Sequence, residues 1–190
     1  IIGDEITSIG NGSFANMTAA EEIVIGKSVI YIKDYAFKGC TSVEKITMPV
    51  ILSEIGRYAF SELTKLKEID IPDTVYKIGD YAFYKMSSLE EITVPDSITN
   101  MGQYVFRNCT SLKRIFWERD TVSYGAFYGC TALNELNLKK ESKYIYSEAF
   151  YGCTALTELS IKAKTIDSYA FSGCTGVTEA YIETDSCGYS

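Results

Sequence analysis

The chain contains no histidine, only three prolines and a single tryptophan in 190 residues. Without histidine it lacks the commonest general base and a principal metal ligand. No C-x-x-C pair and no nucleophile motif take its place, which weighs against an enzyme. No apolar run approaches the roughly 20 residues a helix needs to cross a bilayer. Basic residues are short as well: 18 Lys and Arg face 25 Asp and Glu, for a net charge of −7 and a pI near 4.7. A nucleic-acid partner, which requires basic patches against phosphate, is therefore not expected. The chain opens on Ile1 with no signal-peptide pattern, and reads as a mature fragment or an excised domain. Neither end carries an obvious polar cap, so continuation of the chain, or pairing of its ends, is expected.

What the sequence has instead is one phrase repeated. "GAFYGCTALNELNL" at 125–138 returns as "EAFYGCTALTELSI" at 148–161. The phenylalanine of this phrase recurs at Phe14, Phe37, Phe60, Phe83, Phe106, Phe127, Phe150 and Phe171, at intervals of 23 or 21 residues. Eight units of 21–23 residues fill the chain, so residues 1–190 read as a single domain. Columns hold their distance from each Phe: Ile, Val or Met five residues before, Ala just before in six of the eight units (Ser13 and Val105 in the others), and Cys, Met or Leu three after. Three later columns spell L-x-x-L-x-L, as in "LKEIDI" at 66–71. Alternation there turns Ile inward and the acids outward. One such strand cannot bury its apolar side alone. Stacked neighbours can, so the expected architecture is a leucine-rich-repeat solenoid roughly 35–40 Å long, built on a ~4.8 Å strand spacing. One parallel sheet is expected on one face, with turns and short helical or 3₁₀ pieces on the other. Asp80, and Asp34 and Ser168 in its column, are expected to cap those helical turns. Pro49, Pro72 and Pro95 each lie one residue past a strand, where a missing N–H ends the ladder. The 21-residue intervals lose two residues in this same loop, at "ERDT" (118–121) and "KAKT" (162–165).

The phrase "IPDTVYKIGDYAFYKMSSLEEITVP" (71–95) resembles the BspA-type leucine-rich repeat, with I-P, V-x-x-I-G, A-F-x-x-C and S-L-x-x-I in order. The likeness covers nearly the whole chain and departs from pattern at both ends and at 118–121. It implies the solenoid fold and a cell-surface or extracellular setting, typically of anaerobic bacteria and some parasitic protists. It implies no catalytic residue and no cofactor.

Six cysteines invite three disulfides. Yet Cys40, Cys109, Cys130, Cys153 and Cys174 share a column with Met17, Leu63 and Met86, which asks for a soft apolar side chain. Buried free thiols are the first reading, disulfides between stacked coils the second, and a metal the last, since ligands in a row cannot form a tetrahedron. Persistent free thiols outside a cell need reducing surroundings, which an anaerobic habitat supplies. Cys187 stands outside the column, as an exposed thiol or as core of a further unit.

Other signals have bland readings. "GNGSFA" (10–15) fits a loose dinucleotide pattern but aligns with "GDYAFY", so repeat register explains it. The sequons at Asn11, Asn16 and Asn108 are read as chance in a bacterial protein. Glu68 and Glu91 lie one strand apart on an open, wet ladder, where nothing separates their pKa values. Glu135, Glu158 and Glu179 make the later part of the face acidic. Tyr35, Tyr58, Tyr81, Tyr104 and Tyr169 read as a partly buried ladder with hydroxyls in water. The middle column of the open face reads Val24, Thr47, Asp70, Thr93, Phe116, Asn137, Ser160 and Tyr181, most of them small and polar. Phe116 replaces a small polar residue, beside Arg114 and Glu118, in the unit that lost its Pro loop. Trp117 points inward and reads as core, with its edge open if the short loop fails to cover it.

The candidate binding residues are thus Thr93, Arg114, Phe116, Glu118 and Asn137, an aromatic and an arginine on a polar face being hot-spot ingredients. No metal site is expected. The expected role is non-enzymatic adhesion at a cell surface, to a host protein or less favourably a glycan. The rival role is a spacer displaying other domains.

Overall fold

The computed structural model describes residues 1–138 and 142–183. Cys187 lies outside them. The strands in chain order are β1 (Ser8–Ile9), β2 (Glu22–Val24), β3 (Tyr31–Ile32), β4 (Lys45–Thr47), β5 (Glu54–Ile55), β6 (Lys77–Ile78), β7 (Glu91–Val94), β8 (Asn100–Met101), β9 (Arg114–Trp117), β10 (Thr121–Val122), β11 (Glu135–Leu138), β12 (Ser142–Ile145), β13 (Glu158–Ile166) and β14 (Glu179–Glu183). Each described pair is parallel and joins the same columns of neighbouring units, as in Ile9↔Ile32, Ile32↔Ile55, Ile55↔Ile78 and Ile78↔Met101. The body is a parallel β-solenoid of about seven turns.

The expectation of one sheet is too simple. The L-x-x-L-x-L segments form β2–β4 and β7–β9–β11, and the aliphatic column before Phe forms a second line, β1–β3–β5–β6–β8, which β10–β12 resumes. β13 serves both, pairing Ile166 with Ile145 of β12 and Glu158 with Glu179 of β14, because the short "KAKT" loop lets one strand run through. The quoted segment 66–71 is itself no strand. Leu66, Ile69 and Ile71 still face the core, at most 9 % exposed, but the ladder is broken between β4 and β7.

The helical pieces are absent from the described residues, and backbone geometry explains why. Residues two before and two after each Phe have positive φ, for example Tyr35 (59°) and Gly39 (74°), or Tyr104 (54°) and Asn108 (60°). Left-handed residues cannot sit inside an α-helix, and only three residues separate them. The backbone does something else. N–H groups of Tyr35, Phe37 and Gly39 donate to the next coil, to Arg57, Ala59 and Ser61 carbonyls at 2.8–2.9 Å, while Ala36, Lys38 and Cys40 close local three-residue turns. Asp34 and Asp80 accordingly cap no helix. Their carboxylates accept the N–H of Arg57 (2.8 Å) and Gln103 (2.9 Å) in the following coil.

Inside, the eight Phe rings form one stack, with centroids 5.1–5.8 Å apart and planes within 3–10°. The five cysteines of the described residues are free thiols. They are more than apolar filling. Each donates its S–H to the Phe carbonyl of the preceding coil, from Cys40 to Phe14 (3.1 Å) through Cys174 to Phe150 (3.2 Å). Met or Leu fills the same space but leaves that carbonyl one partner fewer. Burial pushes the Cys130 and Cys153 thiols well above the ordinary range.

Two outcomes follow from this stack. Phe83→Ala should lose about 3–5 kcal/mol in urea unfolding, and Phe14→Ala, at a half-buried ring with a neighbour on one side only, clearly less. Alkylation at pH ~8.5, where an ordinary thiol is about half ionised, should spare Cys109, Cys130 and Cys153 until the protein unfolds. Peptide mapping reads this directly, and native labelling of these three would contradict the ladder.

Candidate functional site

Parallel register places Thr93, Phe116 and Asn137 on successive rungs of β7, β9 and β11. Strand alternation turns all three away from the core, since Ile115 and Trp117, which flank Phe116, are 0 % and 1 % exposed. Phe116 itself is 40 % exposed. Glu118 follows β9, and its N–H donates to the Val94 carbonyl at 3.0 Å. Phe116, Glu118 and Asn137 border one open hollow of about 570 Å³, together with Asp96, Leu136 and Leu138. Thr93 is a rung neighbour but does not line it. Arg114 is drawn off to Glu91, Nη2 to Oε2 2.6 Å, in the row Glu91–Arg114–Glu135.

Asp96, Leu136 and Leu138 were not among the residues expected. Their signal was the two-residue deletion at 118–121. A coil that loses its Pro loop leaves its neighbours' residues at that edge uncovered, and Asp96 follows the Pro95 of the preceding loop.

The short loop does not leave Trp117 open. Arg119 folds over it, its guanidinium 5.6 Å from the indole, with Nε donating to the Ile98 carbonyl at 2.8 Å and Nη1 3.0 Å from the Met101 sulfur. Burial pulls this guanidinium below its usual pKa range. The indole N–H donates to the Thr121 carbonyl at 3.0 Å, and the ring meets Phe127 edge-on at 5.3 Å. Trp117 is thus the floor beneath the hollow and not an extension of the surface.

The charged ladder around the site is arranged coil to coil. Lys45 pairs with Glu22 (3.0 Å), Lys113 with Glu90 (2.9 Å) and Lys65 with Glu44 (3.6 Å). These pairs are exposed and each contributes little, about 0–1 kcal/mol. Among the described residues no group of three or more carboxylates or thiols could hold a metal ion. From Tyr35 to Tyr104 the tyrosine column spends its ring faces on stacking, while Tyr169 near the other end is 67 % exposed. Tyr35, Tyr58, Tyr81 and Tyr104 stack on one another at 4.8–5.4 Å, and Arg107 covers Tyr104 and Tyr128 at 5.0 and 4.4 Å. Asn16 and Asn108 are left-handed turn residues (φ 60° each), which accounts for asparagine there without a glycan.

The sequence profile of the BspA type leucine rich repeat region matches residues 1–113 and 115–187, in six copies. The chain belongs to the BspA-type leucine-rich-repeat family. Solved structures agree. A leucine-rich repeat protein of T. pallidum is 26 % identical, with a TM-score of 0.72 over 80 % of this chain and 72 % of that one. A leucine-rich repeat protein of Eubacterium ventriosum is also 26 % identical, with a TM-score of 0.62 over 88 % of this chain and 62 % of that one. The pneumococcal vaccine antigen PcpA shares the fold at 20 % identity, with a TM-score of 0.67 over 94 % of this chain and 44 % of its own. Among curated protein sequences none matches. In this BspA-type repeat domain the inward columns are common to the coils, and Phe116 with the shortened loop at 118–121 sets the fifth coil apart from its neighbours.

Arg119→Ala tests the closure of the short loop. It should lower stability by about 1–3 kcal/mol, by leaving the Ile98 carbonyl unpaired, and shift Trp117 emission to the red as water reaches the ring. Unchanged emission would show that Arg119 does not seal the edge.

Proposed function

We propose that this domain is a non-enzymatic binding module of a cell-surface or secreted protein, recognising a protein partner through the sheet face around Phe116. Family membership supports a repeat-based binding module, since stacked repeats present extended faces to partners. The observation that carries the reading is Phe116 itself. It is a large aromatic, 40 % exposed, between the small polar Thr93 and Asn137 of the neighbouring rungs, and it borders the hollow, whereas Tyr181, the other exposed aromatic of this column, stands on the last coil away from it. Exposed aromatics beside an apolar hollow with a polar rim supply the core of protein interfaces. A host protein suits this chemistry better than a glycan, because the hollow holds apolar leucines and its rim carries carboxylates. The family's surface setting makes adhesion the natural use, and the reading requires no cofactor.

The test is a screen of the purified domain against host matrix proteins and glycans, with variants. A protein partner should bind at least about tenfold more weakly to Phe116→Ala, some 1.4 kcal/mol, with the fold intact by circular dichroism. Arg114→Ala should weaken it less, because Arg114 is already held by Glu91. No response from any panel member would favour a spacer displaying other domains, and partners insensitive to Phe116→Ala would remove this patch.

A further inference from the structure

The hollow beside Phe116 has a charge pattern that narrows the partner. Its apolar wall is the Phe116 ring with half-buried Leu136 and Leu138. Its rim carries two exposed carboxylates, Asp96 and Glu118. Neither makes an ion pair or a side-chain hydrogen bond among the described residues. Among the described residues the nearby cations are committed elsewhere: Arg114 to Glu91 at 2.6 Å, Lys113 to Glu90 at 2.9 Å, and Arg119 inward to the Ile98 carbonyl. Elsewhere on this face the carboxylates of Glu22, Glu44, Glu90 and Glu91 each have a cation on a neighbouring coil. Asp96 and Glu118, like Glu68 and Glu158, have no such cation among the described residues, and they alone of these four border the hollow.

We propose that this hollow receives a cationic side chain, arginine above all, from a basic segment of a protein partner. The inference rests on the reading of the sheet face as a binding surface and adds the chemistry of what binds. A guanidinium is flat, weakly hydrated and rich in donors. It can lie against the Phe116 ring while reaching carboxylates at the edge. An uncharged apolar side chain in the same place would strip water from two carboxylates and give them no partner. An acidic group would meet repulsion. The wider field acts in the same direction, since the outward columns of the L-x-x-L-x-L segments carry nearly all of the chain's net charge of −7. Such a field draws basic partners to the face before contact.

The sole tryptophan makes the test direct, because Trp117 forms the floor of the hollow. A short peptide of alternating arginine and leucine is titrated against the protein while Trp117 emission is followed. The same peptide with citrulline for arginine removes the charge and keeps the shape. The arginine peptide should perturb Trp117 and saturate, and the citrulline peptide should not. Raising salt from ~50 to ~500 mM should weaken binding, as screening demands. The double variant Asp96→Asn with Glu118→Gln should bind at least about tenfold more weakly. Glu158→Gln with Glu179→Gln, which changes net charge equally at a distance, should stay within about twofold of the parent protein.

Equal binding of the two peptides would overturn the proposal, as would absence of any Trp117 response. Equal losses in both double variants would overturn it too, by showing attraction to net charge alone. A screened partner that depends on Phe116 but ignores Asp96 and Glu118 would sink this inference and leave the binding face standing. Absence of any Phe116-dependent partner strikes the binding face itself.

Discussion

Each coil of this protein finishes its hydrogen bonding on the next. In the turns from Phe14 to Phe150, alternate N–H groups leave the coil and reach carbonyls one repeat later, as Tyr35, Phe37 and Gly39 reach Arg57, Ala59 and Ser61. A single coil would leave those groups unpaired in an apolar interior, and unpaired buried polar groups are costly. Register is therefore obligatory. Once it is set, the Phe rings stack, each ladder cysteine finds the Phe carbonyl before it, and Asp34 and Asp80 meet the N–H of the following coil. The left-handed tyrosines are part of the same requirement. A tyrosine with positive φ is strained by about 1–2 kcal/mol, and ring stacking along that column, at 4.8–5.4 Å, offsets part of it.

This constraint also dictates where function can lie. Columns that build the core have little freedom, so individuality is confined to outward residues and to the loop past the sheet. The fifth unit uses both freedoms at once. It places Phe116 in an outward column and drops two residues from the loop. Arg119 then takes over the covering of Trp117, contacting Ile98 and Met101 of the preceding coil. The result is a hollow with a firm floor, supported by the Trp117–Phe127 contact and the aromatic stack behind it. A site on such a floor is preorganised, which favours affinity by limiting what must be ordered on binding.

The repeat, the inward columns and the stacking of coils were legible because they depend on residue type at fixed spacing. The turns were not. Asp80 before Ala82 and Phe83 resembles a helix start, and tyrosine is no signature of positive φ. The visible clue was the column two after Phe, where Gly39, Gly129, Gly152 and Gly173 alternate with Asn16 and Asn108, the residue types that tolerate left-handed backbone. The thiol hydrogen bonds were hidden for a different reason. Leu63 and Met86 occupy the cysteine column, which made packing look like a complete account. In the candidate site, Phe116, Glu118 and Asn137 follow from strand alternation and register. Asp96, Leu136 and Leu138 depend on which neighbours a shortened loop uncovers, and the Arg114–Glu91 ion pair depends on side-chain placement across coils.

Excision of one repeat tests the obligatory register most directly. Removing residues 61–83 joins Phe60 to Tyr84 and brings every later column into the place of the one before it. The shortened protein should fold, with an unchanged circular dichroism spectrum per residue and a cooperative transition at somewhat lower temperature. Removing residues 61–72 instead, about half a coil, should abolish cooperative folding. A whole-repeat deletion that unfolds, or a half-repeat deletion that folds equally well, would contradict the claim that coils stack column on column.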